Sequence, residues 1–340
     1  MIWIRADANK NIGTGHVMRS LSIATALRKL EKEVCFILAD EYAVELLLER
    51  GFSYKVLGTS YDDMEGELPL LCKWLKEEKP ELFLMDSYFV TKAYMEQVGR
   101  YAKTGYIDDV NAFSYPVDVL INYNIYGDML PYGEKRQEGM KLLLGTAYAP
   151  LRREFCDVEY TVRKEAEHVL VTTGGGDLYN LAGRILEEAL KHEKAKKLHY
   201  HVVSGVFNRH YDFLKELEEK HKNIHIHQNV AKMSELMKQC DVAIATGGST
   251  LYELCAVGVP ILCFSFAQNQ EMAVQTFVQK KLTAFGGDYL KEKEEMPERL
   301  VEALTVLTAS YEERCAYSKK GRALVDGHGA ERIAQVLSED

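Results

Sequence analysis

Short runs of β-branched and aromatic residues alternate with longer stretches of helical period along the whole chain, the pattern of parallel α/β layers. In the first half the strand candidates are Met1–Asp7 (MIWIRAD), Val34–Leu38 (VCFIL), Leu82–Asp86 (LFLMD), Thr104–Asp108 (TGYID) and Val117–Tyr123 (VDVLINY), with a helix over about Val17–Glu31. Five strands suffice for one doubly wound domain. From Leu130 to Phe155 the pattern turns irregular, and it restarts in EHVLVTTGGG, Glu167–Gly176. Leu198–Gly205, Asn223–Asn229, Asp241–Gly248 and Pro260–Phe266 then read as strands, separated by helical stretches around Leu181, Tyr211, Met233 and Leu251. The prediction is an α/β protein of two Rossmann-like parallel-sheet domains, residues 1–160 and 161–340, facing each other across a cleft. Ligands of open parallel sheets bind at the carboxyl ends of the strands, so functional residues should follow strands.

Composition narrows the classes. At 340 residues the chain exceeds what one hydrophobic core usually serves. A net charge of −9 argues against a nucleic-acid partner, which needs a dense basic face. No apolar run reaches the length of a membrane span, and charge begins at Arg5, which leaves no signal-peptide core at the N-terminus. The seven cysteines lack any C-x-x-C pair and read as reduced, structural thiols, so the expected compartment is the cytoplasm.

Three glycine turns each end a strand and open a helix: IGTGH (Ile12–His16), TTGGGDLYN (Thr172–Asn180) and TGGSTLYE (Thr246–Glu253). Such turns aim backbone N–H groups and a positive helix end at one point, which suits an anion. None has the spacing of a dinucleotide fingerprint or a P-loop, so no nicotinamide cofactor or ATP cleavage is expected. In the third turn, Gly247 and Gly248 bring the backbone close, Ser249 and Thr250 offer hydroxyls to a phosphate or to the helix cap, and Glu253 suits ribose hydroxyls or a capping box. The amides of Asn269 and Gln270, after another strand, suit sugar hydroxyls and acetamides, or a plain cap.

His16 follows the first turn at a helix start, where the neutral imidazole is favoured and a base is well placed, and where a helix-capping or core histidine would serve equally. Arg5 and Asp7 end the first strand beside it, as substrate contacts or as an internal ion pair. Asp108 and Asp109 resemble a glycosidase pair, but adjacent residues on an extended chain point oppositely, which leaves one of them for the cleft as a polar contact. His199 with His201 and His225 with His227 are i, i+2 pairs on strands, and a polar sheet edge explains them better than a metal site.

These motifs fall in a familiar order: RAD (Arg5–Asp7), IGTGH, DSY (Asp86–Tyr88), DD (Asp108–Asp109), INYN (Ile121–Asn124), LRREF (Leu151–Phe155), GGGD (Gly174–Asp177) and NQ (Asn269–Gln270). Spanning about residues 4–275, the set resembles the UDP-2,4-diacetamido-2,4,6-trideoxy-β-L-altropyranose hydrolases of pseudaminic acid biosynthesis. The resemblance implies a GT-B architecture and hydrolysis of an anomeric C–O bond without cofactor or metal. It implies His16 as the base for water, with Tyr88 and Asn269 lining the sugar site. Beside them, Arg5, Asp7, Gly13, Gly15, Asp109, Arg152, Gly175 and Gln270 become substrate contacts, and Gly174, Gly247, Gly248, Ser249, Thr250 and Glu253 become UDP contacts. Spore-coat polysaccharide proteins share much of the pattern, which keeps glycosyl transfer from a UDP-sugar as the alternative. The segment after about Leu282, with DGHGAERI at Asp326–Ile333, lies outside the resemblance and is expected as an extra C-terminal helical segment of the second domain.

Overall fold

A computed structural model describes residues 1–10, 12–135 and 137–339, with Lys135 described in its backbone alone. The first sheet contains β1 (Ile2–Ala6), β2 (Val34–Leu38), β3 (Ser53–Val56), β4 (Leu82–Asp86), β5 (Lys103–Ile107), β6 (Val119–Asn122) and β7 (Lys141–Leu144). All pairings are parallel, in the order β3-β2-β1-β4-β5-β6-β7. The second sheet contains β8 (His168–Thr172), β9 (His199–Val203), β10 (Ile224–His227), β11 (Val242–Thr246), β12 (Ile261–Ser265) and β13 (Ala284–Asp288), in the order β10-β9-β8-β11-β12-β13. It too is parallel throughout.

The central strands β1, β2, β4, β11 and β12 are buried at every position, which is why they read as unbroken apolar runs. Three strands escape the sequence pattern, and all lie at sheet edges: β3 (SYKV), β7 (KLLL) and β13 (AFGGD). An edge strand buries less, so its alternation is diluted by polar residues and glycine.

Packing divides the chain into Met1–Arg152 with 328–340, and Arg153–Gly327. The expected boundary near residue 160 therefore falls at Arg152, and the last helix, Gly329–Leu337, belongs to the first unit. The reason lies in the DGHGAERI motif. A Cβ at Gly329 would stand 2.2 Å from the Ala149 carbonyl oxygen, so only glycine lets the helix start this close to the 148–149 backbone. From there Ile333, Ala334 and Leu337 are buried in the first unit. No helix among the described residues is long and apolar enough to cross a membrane.

Candidate active site

In each sheet the strand order reverses at one point, between β1 and β4 in the first and between β8 and β11 in the second. There the outgoing connections diverge and open a crevice at the strands' carboxyl ends. The turn after β1 begins a helix at Gly15, and His16 is its second residue. Gly13 lies at φ +71°, a backbone state that L side chains adopt at a cost, and it exchanges backbone hydrogen bonds with Asn9 to close the turn.

Across the switch point, Asp86 ends β4 in register with Ala6 of β1. Its carboxylate is fully buried and lies against the first turns of the helix Gly15–Lys29. His16 Nδ1 approaches Asp86 Oδ1 at 2.6 Å, Arg19 Nε donates to Oδ2 at 2.8 Å, Ser20 Oγ donates to Oδ2 at 3.1 Å, and Arg19 Nη2 donates to Oδ1. Burial pushes the Asp86 carboxyl up, but the Arg19 charge and the hydrogen bonds from Arg19 and His16 outweigh it and hold the group well below the usual carboxylate range.

Arg19 extends the cluster. Its Nη1 donates to Tyr123 Oη at 2.9 Å and stands 3.7 Å from Asp109. Asp109 accepts from Asn124 Nδ2 at 2.7 Å and from the Tyr88 hydroxyl. Tyr88, 54% exposed, packs its ring nearly perpendicular to the His16 imidazole at 4.7 Å between centroids. Desolvation of the phenol and the Asp109 charge raise Tyr88 far above the ordinary tyrosine range, with Arg19 opposing. Tyr88, Asp109 and His16 thus lie side by side in the first unit. Of the two residues that join them, Asp86 stands in the DSY motif without an expected role, and Arg19 escapes the sequence reading. The signal for Arg19 is its i, i+3 spacing from His16, which puts both on one helix face.

The neighbouring aspartates do part company. Asp108 turns into a tyrosine cluster, accepting from Tyr115 Oη at 2.9 Å and from Tyr132, while Asp109 faces Arg19. Of the two readings offered above for Arg5 and Asp7, substrate contacts or an internal ion pair, the structure has the ion pair. Arg5 is wholly buried, bonded to Glu67 through Nε and Nη2 and to Asp7 through Nη1, and Asp7 also accepts from Ala39 N at 2.8 Å. Arg152 is the half-buried last residue before the second unit begins.

In the second unit both glycine turns lie at the β8/β11 switch point. Gly174 has φ +84°, Gly175 and Gly176 have open space where a side chain would be, and Asp177 caps the following helix through Leu181 N and Ala182 N at 2.7 and 3.0 Å. Gly247 packs against the helix Gln268–Gln279, where a Cβ would meet Gln270 O at 2.8 Å, whereas Gly248 is open. Ser249 precedes the helix Thr250–Val257 without spending its hydroxyl on a cap, and Glu253 is half-buried one turn on. Asn269 is exposed, and Gln270 accepts from Phe266 N at 3.1 Å, which leaves its amide N–H groups for other partners.

The histidine pairs form an array with His168 across β8, β9 and β10. His168 Nδ1 and His201 Nε2 are 3.1 Å apart, as are His201 Nδ1 and His227 Nε2, and the rings stack instead of converging on one point. His168 and His199 begin their strands, but His227 ends β10.

Two parallel Rossmann-like units with these switch-point turns define a GT-B protein. The chain matches the MurG structure from Acinetobacter baumannii over 99% of its length and 98% of that chain, with a TM-score of 0.70 at 13% identity. It matches UDP-GlcNAc 2-epimerase from Neisseria meningitidis, solved with UDP-GlcNAc, over 100% of both, with a TM-score of 0.68 at 13% identity. Residues 168–336 match the glycosyltransferase family 28 C-terminal domain. Among sequence relatives, the chain is 26% identical to the spore coat polysaccharide biosynthesis protein SpsG of Bacillus subtilis, over 99% of this chain and 98% of that one. It is 25% identical to the UDP-2,4-diacetamido-2,4,6-trideoxy-β-L-altropyranose hydrolase of Campylobacter jejuni, over 82% of this chain and 96% of that one. An uncharacterised Methanocaldococcus jannaschii protein is 29% identical over 82% of this chain, and the match spans 58% of that protein.

Proposed function

We propose that the protein hydrolyses the anomeric C–O bond of a UDP-linked diacetamido-trideoxy sugar, releasing UDP and the free amino sugar. The observation that carries the reading is the His16 imidazole, held by Asp86 at the crevice of the first sheet, in a chain with relatives named for this hydrolysis. Water attacks the anomeric carbon as its proton passes to His16. The C–O bond breaks with its electron pair going to the β-phosphate oxygen of UDP, and the imidazolium returns its proton to solvent. UDP leaves readily once helix N-termini meet its charge, so the residues' work is concentrated on the water.

The turn through Gly13 and Gly15 presents His16, and Tyr88, Asp109 and Arg152 serve as sugar contacts of the first unit. In the second, Gly174, Gly247, Gly248, Ser249 and Thr250 take the diphosphate, Glu253 takes the ribose, and Gly175, Asn269 and Gln270 take the sugar. A second reading, transfer of the sugar to an acceptor, is favoured by the glycosyltransferase family 28 match and by SpsG. Incubation with the UDP-linked sugars in ¹⁸O-water separates the two. Acceptor-free UDP release with label in the sugar is expected. Label in UDP would overturn C–O cleavage, and turnover that waits for an acceptor would favour transfer.

A further inference from the structure

His16, Arg19 and Ser20 are spaced i, i+3, i+4, so one helix face presents all three to Asp86. Each carboxylate oxygen meets two of them: Oδ1 meets His16 Nδ1 and Arg19 Nη2, and Oδ2 meets Arg19 Nε and Ser20 Oγ. That uses the roughly four acceptor sites a carboxylate has, so Asp86 has no free rotation left. The group is also fully buried, where water cannot substitute for a lost partner.

The same contacts decide where the His16 proton lies. Arg19 Nη2 stands 3.1 Å from His16 Nδ1, and Asp86 Oδ1 stands 2.6 Å from it. A guanidinium can only donate and an ionised carboxylate can only accept. With no proton on Nδ1, its lone pair would point at a carboxylate oxygen at 2.6 Å, and the two would repel. With the proton there, Nδ1 and Arg19 both donate to Oδ1, and their 3.1 Å separation follows from the shared acceptor. The neutral ring then carries its lone pair on Nε2. Arg19 is itself fixed by Tyr123 and by the nearby Asp109, and the Tyr88 ring packs nearly perpendicular to the imidazole.

We propose that Asp86 and Arg19 are positioning residues for His16: Asp86 holds the proton on Nδ1 and so presents Nε2 as the base, and Arg19 keeps Asp86 ionised and in place. The catalytic consequence rests on the proposed function, whereas the tautomer does not. Two measurements on the full chain test it. In protein labelled with ¹⁵N-histidine, long-range ¹H–¹⁵N correlations at a pH where the ring is neutral should report a protonated Nδ1 and an unprotonated Nε2 for His16, assigned by the signals lost in His16→Asn. In Asp86→Asn the ring should become a mixture of tautomers, with kcat for UDP-sugar hydrolysis down by on the order of 10²–10⁴-fold and KM within about threefold. Arg19→Lys keeps the charge but loses the fork, and should fall between native and Asp86→Asn.

A native His16 protonated on Nε2 would overturn the proposal even if Asp86→Asn fails to fold. So would an Asp86→Asn protein with native spectrum and native turnover. Activity lost in His16→Asn but intact in Asp86→Asn would overturn the positioning role and leave the hydrolase reading standing. The expected spectrum in a protein that releases no UDP would do the opposite.

Discussion

Arg5 and Glu67 form a two-pronged ion pair in which neither side chain reaches solvent: Nε and Nη2 of the arginine donate to the carboxylate at 2.8–3.1 Å. Asp7 and Tyr94 complete the network. Breaking a buried pair strands a charge, which typically costs about 3–5 kcal/mol, whereas replacing both members by apolar residues costs far less. Glu67→Ala should therefore lower unfolding free energy in urea by about that amount, and Arg5→Met with Glu67→Leu should not recover it, because the buried Asp7 carboxylate then loses its cation. A loss below about 1 kcal/mol for Glu67→Ala would show the network to be of little weight.

His16→Asn keeps a polar side chain at the second helical position and removes the base. Turnover of the UDP-sugar should drop by about 10²–10⁴-fold, with UDP affinity by calorimetry within about twofold of native. Near-native turnover would make His16 a structural residue.

The histidine array gives the second unit an acid limit. Burial, then the neighbouring imidazoles, push His201 down to about 4, and burial with the same neighbours lowers His168 and His227. Around them, Arg163 reinforces the effect at His168, while Asp241 and Glu167 there, and Glu218 at His227, oppose it. Each folded-state pKa lies below the unfolded value of 6.5, so on acidification the unfolded chain takes up protons first. Stability is whole above about 6.5 and is lost as pH falls through the window down to about 4, with His201 contributing roughly 3 kcal/mol at most. Urea midpoints measured between these limits should fall for the native protein and flatten in His201→Gln. Parallel pH profiles would remove the array from the account.

How much of this was legible follows from where the information sits. The buried runs of β1, β2 and β4 are local, so strand, turn and helix could be read in order, and His16 with them. The opposite fates of Asp108 and Asp109 follow from pleat geometry alone. Glu67 could not be paired with Arg5 from the sequence, because 62 residues separate them and only the folded helix Met64–Glu78 brings the carboxylate in. Asp86 was visible as the end of LFLMD, but its partner set depends on β4 lying beside β1, a long-range choice that no local pattern encodes. The last helix was expected, but its place in the first unit was not, for the same reason: its contact with Ala149 spans about half of the chain.

Gly247 and Gly248 are adjacent, yet they should respond differently to one added methyl group. At Gly247 a Cβ would lie 2.7 Å from Val274 Cγ2 and 2.8 Å from Gln270 O, so the turn and the helix Gln268–Gln279 would have to separate. Overpacking of this kind costs about 1–3 kcal/mol, and because it also moves Gln270, Gly247→Ala should lose both thermal stability and UDP affinity. At Gly248 nothing lies within 4 Å of a new Cβ, so Gly248→Ala should melt within a few degrees of native, a change of about 0.5 kcal/mol or less. If the diphosphate lies against this backbone, that methyl occupies its space, and UDP affinity measured by calorimetry should fall by about tenfold or more, or about 1.4 kcal/mol. Native UDP affinity in Gly248→Ala would take the diphosphate away from this turn, whatever Gly247→Ala does.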